Sequence, residues 1–301
     1  MLSLSMLFAG WCLFPALTAA GSADPANPQA PAENLRGPVA SGGTSMFRYP
    51  DLSADEIVFV YANDLWRVPV EGGTALPLAS PPGLETIPRF SPDGREVAFV
   101  GNYDGNRDLY VVPTRGGLPR RVTHHPTGER LSDWTPDGGL LFSARGMGGV
   151  PRAERIFRVG SGGGLPVALP MPYGANAAID RTGEWVAYTP NQRDGRTWKR
   201  YRGGMASDIW LVNLQSGESR QVTQWEGTDT MPMWHGDDLF YLSDAGDEHR
   251  LNLWRYDLAD GTRTQLTTFR DYDIKWPAIG PEDDESARFV FQNGADLYVH
   301  D

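Results

Sequence analysis

The stretch that decides the fold is FSPDGREVAFVGNYDGNRDLYVV, from Phe90 to Val112. Ser-Pro-Asp-Gly is a turn signal, because proline presets the φ angle of a turn and glycine accepts a positive one. The apolar runs EVAFV and DLYVV, which follow the turn, have the residue types of short strands. This stretch therefore predicts a turn, a strand, a loop and a second strand.

The DLYVV strand recurs as DLWRV, RIFRV, DIWLV, NLWRY and DLYVH, at steps of 44, 47, 53, 44 and 44 residues. A turn and an apolar strand precede each copy, and a tight turn and a further short strand follow the first five. About four strands per copy is the composition of a propeller blade, and such a sheet buries its faces only by packing on its neighbours. The repeat predicts an all-β, six-bladed β-propeller of four-stranded antiparallel blades.

We expect the propeller to span residues 46–301. The expected blades run over about 46–80, 85–123, 130–170, 175–223, 229–268 and 273–301. The sixth copy stops after its third strand, DLYVHD, so the sixth blade is incomplete at the C-terminus. Either the chain is the front piece of a longer protein, or the segment before Met46 supplies the missing strand. The Gly-rich composition of residues 37–45 favours the first explanation.

The N-terminal residues 1–20 lack charge, have an apolar centre and end in small residues, which predicts a secretory signal peptide. An uncleaved anchor is the alternative, because no Lys or Arg begins the segment, although Pro15 and the short apolar run disfavour a membrane span. We expect an exported, periplasmic protein without membrane attachment after cleavage, or a cytoplasmic one if the signal does not work. Residues 21–45 are rich in Pro, Ala and Gly and predict a flexible linker.

The formal net charge is -11 and Lys and Arg are scattered, so we expect no nucleic acid partner. Sequence motifs for a serine hydrolase elbow, a zinc protease, a P-loop or paired-cysteine metal binding do not occur. We therefore expect no catalytic residue, no metal site and no cofactor. The loop Asp104 to Asp108 spaces oxygen ligands as calcium loops do, but it lacks their glycine and distal glutamate. Asp108 belongs to the repeat, and we expect it to bind backbone as its counterparts do.

An insertion in the fourth copy creates the 53-residue step and contains TWKRYRGG, Thr197 to Gly204. It brings two aromatic side chains and three cations into one loop, and loops on a rigid scaffold often carry function. The alternative, which we favour, is that Trp198 and Tyr201 fix the loop to the blade while its cations stay solvated.

The order DEIVFVYANDLWRVPVEGG, then IPRFSPDGREVAFV with DLYVV, then WKRYRGG followed by DIW, resembles the N-terminal six-bladed propeller of the tricorn protease family. The resemblance runs from about Met46 to the end of the chain. Its most specific part is the family-signature loop, which comprises Trp198, Lys199, Arg200, Tyr201, Arg202, Gly203 and Gly204.

The resemblance implies the non-catalytic front propeller of a longer, exported serine protease, with the catalytic residues in domains beyond Asp301. It implies oligopeptides as ligands, passage of peptides through the propeller, and a homo-oligomer. Archaeal members are thought to hold the carboxylate of the substrate with a basic pair between blades 2 and 3. Arg130 matches one cation of that pair, whereas Glu129 replaces the other and would offset its attraction. The alternative for Arg130 is a solvated loop charge without a ligand.

A second hypothesis is a stand-alone periplasmic propeller of the TolB type, which binds protein or peptide partners without catalysis. A third is the propeller of a hydrolase similar to prolyl oligopeptidase. The reading frame beyond Asp301 separates these hypotheses, because each predicts a different downstream sequence.

Overall fold

The computed structural model describes residues 35–40, 46–147, 149, 153–192, 194–195, 199–281 and 286–301. The predicted signal peptide and most of the predicted linker lie outside the described residues, as do Thr197 and Trp198 of the insertion. All regular secondary structure in the described part of the chain is β-strand. It accordingly contains no helix that is long and apolar enough to cross a membrane.

In the described part of the chain, twenty-four strands form six antiparallel four-stranded sheets. Blade 1 contains β2 (Arg48–Leu52), β3 (Glu56–Tyr61), β4 (Asp64–Pro69) and β5 (Leu76–Ala79). Blade 2 contains β6 (Glu85–Phe90), β7 (Glu96–Gly101), β8 (Asp108–Pro113) and β9 (Arg120–Arg121). Blade 3 contains β10 (Glu129–Trp134), β11 (Gly139–Arg145), β12 (Glu154–Gly160) and β13 (Val167–Ala168).

Blade 4 contains β14 (Ala175–Ile179), β15 (Trp185–Thr189), β16 (Trp210–Asn213) and β17 (Ser219–Gln221). Blade 5 contains β18 (Asp229–His235), β19 (Asp238–Ser243), β20 (Asn252–Asp257) and β21 (Arg263–Gln265). Blade 6 contains β22 (Ile274–Ile279), β23 (Phe289–Asn293), β24 (Asp296–His300) and the N-terminal strand β1 (Leu35–Ala40).

The blades form a ring, because the first strand of each blade contacts the first strand of the next, and β22 of blade 6 contacts β2 of blade 1. The first strands therefore line the axis of the ring. The predicted six-bladed propeller is confirmed, and so is a sixth copy with only three strands of its own.

The apolar core lies between blades and not within them. Each of six clusters of buried side chains joins two neighbouring blades. The cluster that closes the ring packs Ile57 and Phe59 of blade 1 against Val290 and Leu297 of blade 6. This placement follows from the alternation of strands, which puts apolar side chains on both faces of sheets that have a neighbour on each side.

The Pro-Asp-Gly turns join the first and second strands. In blade 2 the Ser91 hydroxyl donates to Asp93 Oδ1 at 2.6 Å and accepts the Glu96 backbone N–H at 3.0 Å. Gly94, at the end of this turn, has a φ of 67°, which glycine adopts without a Cβ clash. Local hydrogen bonds therefore fix these turns on one face of the ring, which we call the lower face.

Strand β1 corrects the expectation for the sixth blade. It pairs antiparallel with β24, with Leu35 opposite His300 and Ala40 opposite Leu297. The prediction of a flexible linker is therefore wrong for residues 35–40, and the segment before Met46 does supply the fourth strand. The outer edge of β24 offers unpaired backbone donors and acceptors, which an extended segment satisfies through its main chain whatever its side-chain propensity.

The repeated acidic or amide residue before the third strand binds backbone in two blades and side chains in another. Asp208 accepts the Trp225 backbone N–H at 2.9 Å, and Asn252 accepts that of Phe269 at 2.8 Å. Asp108 instead accepts hydrogen bonds from the side chains of Asn106 and Arg121. The expected backbone role therefore does not extend to Asp108, because Asn106 and Arg121 provide donors that saturate its carboxylate.

Candidate functional site

The first strands are irregular where they line the axis. Every one of them has a register shift against the second strand of its blade. Five non-glycine residues at these bulges have φ angles between 43° and 54°, namely Tyr49, Ile87, Asn176, Met231 and Trp276. Positive φ costs free energy for such residues, and strained positions of this kind concentrate at functional sites. The strained first strands therefore make the axis of the ring the candidate functional site.

Arg130, on β10 of blade 3, crosses the axis. Its guanidinium lies 5.3 Å from the ring centre of Trp276 in blade 6, the blade opposite in a ring of six. Trp276 in turn packs on Tyr49 of blade 1, with ring centres 4.4 Å apart. A cation over an aromatic face is attracted by the ring quadrupole, so this contact holds blades 3 and 6 together across the channel.

Asp194 closes the mouth of the channel from above. It lies in the blade 4 insertion, its side chain is 6% exposed, and its Oδ2 lies 3.7 Å from Arg130 Nη2. Asn176 Nδ2 donates to Asp194 Oδ2 at 2.6 Å, and Thr230 Oγ1 donates to Asp194 Oδ1 at 2.9 Å. We call Arg130, Asn176, Asp194, Thr230 and Trp276 the mouth cluster.

A second layer lies deeper in the channel. Arg89 of blade 2 donates to the backbone oxygen of Ser132 in blade 3 and to Asp51 in blade 1. The Phe90 backbone N–H also donates to Asp51, at 2.6 Å. Burial raises the pKa of Asp51 to about 6, against the opposing attraction of Arg89. The lower layer therefore joins three blades through one arginine.

The family-signature loop lies on the upper face, since it joins the second and third strands of blade 4. Lys199 Nζ lies 2.6 Å from Asp273 Oδ2, and the Arg202 guanidinium stacks on Trp225 at 4.6 Å. These two cations therefore tie the loop to blades 5 and 6, and both side chains stay exposed to solvent, at 48% and 36%. Trp198, the predicted aromatic anchor, lies outside the described residues.

The other residues of this loop have less defined roles. Arg200 is exposed and has a φ of 54°, and Tyr201 is half-buried. Gly203 has a φ of 137°, which other residues rarely adopt, and Gly204 follows it in an exposed position.

A polar cleft of about 460 Å³ lies beside this loop, over blades 4 to 6. Lys275 lies at its base, next to the mouth cluster. Burial lowers the pKa of Lys275, and the nearby cations Lys199 and Arg48 lower it further. The mouth thus carries a second cation next to Trp276, which the sequence reading missed.

The sequence predicted that Glu129 would offset the attraction of Arg130 for a carboxylate, but the Glu129 side chain lies on the other face of the strand. Adjacent residues of a strand point to opposite faces, and the Glu129 carboxylate is buried with the hydroxyl of Thr123 as its donor. Burial raises its pKa to about 7. The carboxylate that neutralises Arg130 is that of Asp194, 64 residues further along the chain.

A proline pattern in the sequence marks the channel mouth, and the sequence analysis did not use it. RYP, TIP, TMP and KWP stand at the bulges of four first strands, at residues 48–50, 86–88, 230–232 and 275–277. Proline within a strand indicates a bulge, and the bulges mark the residues that line the axis. The first strands of blades 3 and 4 lack this proline, so it does not identify Arg130 and Asn176, and Asp194 lies in an insertion outside the repeat.

The sequence of this chain is similar to those of known proteins. A family model, described as the tricorn protease N-terminal beta propeller domain, matches residues 44–301. The chain belongs to this family. Tricorn protease homolog 1 of Streptomyces coelicolor is 31% identical over 201 residues, which cover 65% of this chain and 19% of that relative. The chain therefore spans about a fifth of the length of this curated relative.

Solved structures show the same fold. The crystal structure of the tricorn protease matches 85% of this chain and 25% of its own, at 23% identity and a TM-score of 0.73. TolB from Acinetobacter baumannii matches 78% of this chain and 57% of its own, at 19% identity and a TM-score of 0.61. The same propeller fold thus occurs in a tricorn protease and in a TolB protein.

Proposed function

We propose that this tricorn propeller is the non-catalytic front domain of an exported serine protease and that it gates oligopeptides at its channel mouth. The observation that carries the proposal is the mouth cluster, in which an arginine and a tryptophan from opposite blades meet across the axis. A mouth closed by side chains alone opens when those side chains move, without rearrangement of the blades.

Arg130 is the group through which a peptide would act on this gate. Its guanidinium is held by Asp194, Asn176 and Trp276, so a carboxylate of a peptide would compete with that of Asp194 for the same cation. A guanidinium binds any carboxylate through the same donors. Peptide binding at Arg130 and release of Asp194 are thus one event in this proposal.

The test measures binding of pentapeptides with free or amidated C-termini to the purified chain by calorimetry. Asp194→Ala removes the competing carboxylate, so we expect it to tighten binding of the free-carboxylate peptides about tenfold. Arg130→Gln should abolish the difference between the two peptide forms. Asp260→Ala removes an exposed acid on the lower face and serves as the control.

Absence of peptide binding to the wild-type chain and to Asp194→Ala would refute the gate. So would equal tightening by Asp260→Ala, since that result would reflect net charge and not the mouth.

Export, assembly and downstream catalytic domains belong to the same proposal. They are supported by the apolar N-terminal residues 1–20 and by the small share of its protease relative that the chain spans. N-terminal sequencing of the protein recovered from its host, together with light scattering, tests export and assembly. An uncleaved N-terminus in the cytoplasm would refute export, and a monomer would refute assembly.

The likeness to TolB supports a second candidate, a propeller that binds a folded protein partner without a protease. The reading frame downstream of Asp301 decides between the two, because only the first candidate requires it to encode a serine peptidase. The purified chain should show no peptidase activity in either case.

A further inference from the structure

A cavity of about 490 Å³ lies on the upper face between blades 2 and 3, next to the mouth cluster. Its volume is in the range of small-ligand sites. Glu129 and Asn102 line it, and Arg130 borders both the cavity and the mouth. The function proposed above assigns no role to this cavity.

Two buried acceptors in this cavity lack a donor. Glu129 is 3% exposed, and its Oε2 accepts from Thr123. Its Oε1 has no hydrogen-bond partner among the described residues, and the same holds for Asn102 Oδ1. A buried acceptor without a donor costs free energy, and each such group in a folded protein requires an explanation.

The equivalent residue of blade 2, Glu85, provides a comparison for Glu129. Glu85 begins the first strand of blade 2 as Glu129 begins that of blade 3, and Glu85 accepts the Tyr103 hydroxyl at 2.9 Å. Glu85 lies opposite Gly101, and Glu129 lies opposite Ala144. Two residues further on, blade 2 therefore has Tyr103 where blade 3 has Gly146. Each carboxylate thus has one hydroxyl donor and one oxygen without a partner among the described residues, but the tyrosine that covers Glu85 has no counterpart over Glu129, and Glu129 is the one that lines the cavity.

The other charges of the cavity are largely paired. Arg145 Nη2 lies 3.8 Å from Glu154 Oε2, and the Ser143 hydroxyl donates to Glu154 Oε1 at 2.7 Å. Arg130 pairs with Asp194. Arg107 also lines the cavity but is exposed, so the buried groups that the cavity offers to a ligand are a carboxylate oxygen and an amide oxygen, both of which accept hydrogen bonds from a cationic donor.

We propose that this cavity binds the α-ammonium end of a peptide, with Glu129 Oε1 and Asn102 Oδ1 as its acceptors. An ammonium group supplies three donors in a compact cation and satisfies both oxygens. The inference rests on the proposed function, because it assumes that the ligand is a peptide.

The test uses the purified full-length chain and two probes, trialanine amide with a free amine and N-acetyl-trialanine with a blocked one. We expect calorimetry to detect binding of the amide and at least tenfold weaker binding of the acetylated probe. Glu129→Gln should weaken binding of the amide about tenfold. The matched control Glu85→Gln changes the equivalent residue of blade 2 and should leave binding unchanged within twofold.

Asn102→Ala gives an independent reading if Glu129→Gln does not fold, and we expect it to weaken binding of the amide about fivefold. Equal affinity for both probes, or equal losses in Glu129→Gln and Glu85→Gln, would overturn the inference. If pentapeptides bind and respond to Asp194→Ala but acetylation has no effect, the ammonium site is refuted and the gate is supported. If trialanine amide binds as expected and Asp194→Ala has no effect, the ammonium site is supported and the gate is refuted.

Discussion

The interfaces between blades and the mouth of the channel use the repeat in opposite ways. Each of the six interfaces buries the same kinds of apolar side chain, supplied by the recurring strands. At the mouth, blades 3 to 6 contribute different side chains, from Arg130 in blade 3 to Trp276 in blade 6. Residues that recur in every blade therefore form the interfaces of the ring, and residues that differ between blades form the site.

Loss of a large side chain between blades should destabilise the ring most. Phe142 is fully buried in the interface of blades 2 and 3. Phe142→Ala removes its contacts and leaves a cavity, so we expect a loss of about 3–5 kcal/mol in the free energy of unfolding, measured with denaturant. Leu118→Ala is the control, because Leu118 is 93% exposed. Equal losses in the two variants would contradict an interblade core.

The closing strand should contribute less than a core side chain but measurably. Deletion of residues 1–45 removes β1 and leaves the edge of β24 unpaired, whereas deletion of residues 1–34 retains β1. Each main-chain hydrogen bond contributes about 1 kcal/mol, so we expect the larger deletion to be about 2–3 kcal/mol less stable than the smaller. Identical unfolding curves would show that β1 does not close the ring in solution.

Much of the ring was predictable because its information is local and repeated. The turn at Ser91 to Gly94 and the strand that begins at Glu96 recur at a nearly constant spacing, so each copy supports the interpretation of the others. Strand β1 was not predictable in this way, because its pairing depends on the backbone of β24 and its own composition resembles a linker.

The site was predictable only at Arg130, and there through resemblance. Asp194 neutralises that arginine from an insertion without a counterpart in other blades, so no spacing in the sequence connects the two. The contact of Arg130 with Trp276 depends on the opposition of blades 3 and 6, which exists only once the ring is closed.

The charge pair of the mouth should show a moderate coupling. In a double-mutant cycle of Arg130→Ala and Asp194→Ala we expect a coupling of about 1–2 kcal/mol in the free energy of unfolding, because Asp194 is largely buried. The exposed pair of Arg181 and Asp237 is the matched control and should show a coupling near zero. A coupling at the mouth no larger than that of the control would show that Asp194 does not hold Arg130.

The buried carboxylates that begin the first strands should give the smallest effect, as a dependence of stability on pH. Burial raises the pKa of Glu85 to about 7 from an ordinary value near 4.5. The folded state therefore binds its proton more tightly than the unfolded state. The stability that this group contributes is fully present below about pH 4.5 and is lost as the pH rises through 7.

Glu85→Gln removes this titration. We expect the variant to be more stable than the wild type at pH 8, by on the order of 1 kcal/mol, and the difference to shrink towards pH 5. Unfolding by denaturant across this range measures it, with Glu218→Gln, on the exposed outer rim, as the control. A variant whose disadvantage grows as the pH rises would reverse the sign and contradict a raised pKa.

The pairing of Leu35 with His300 also sets the order of events during synthesis. The strand that completes the ring is among the first parts of the domain to leave the ribosome, and its partner is the last. Until then the nascent chain is an open arc, with the apolar faces of its first and sixth blades unpaired. Contacts between residues so distant in sequence form slowly. The arc is therefore the species that a chaperone would meet.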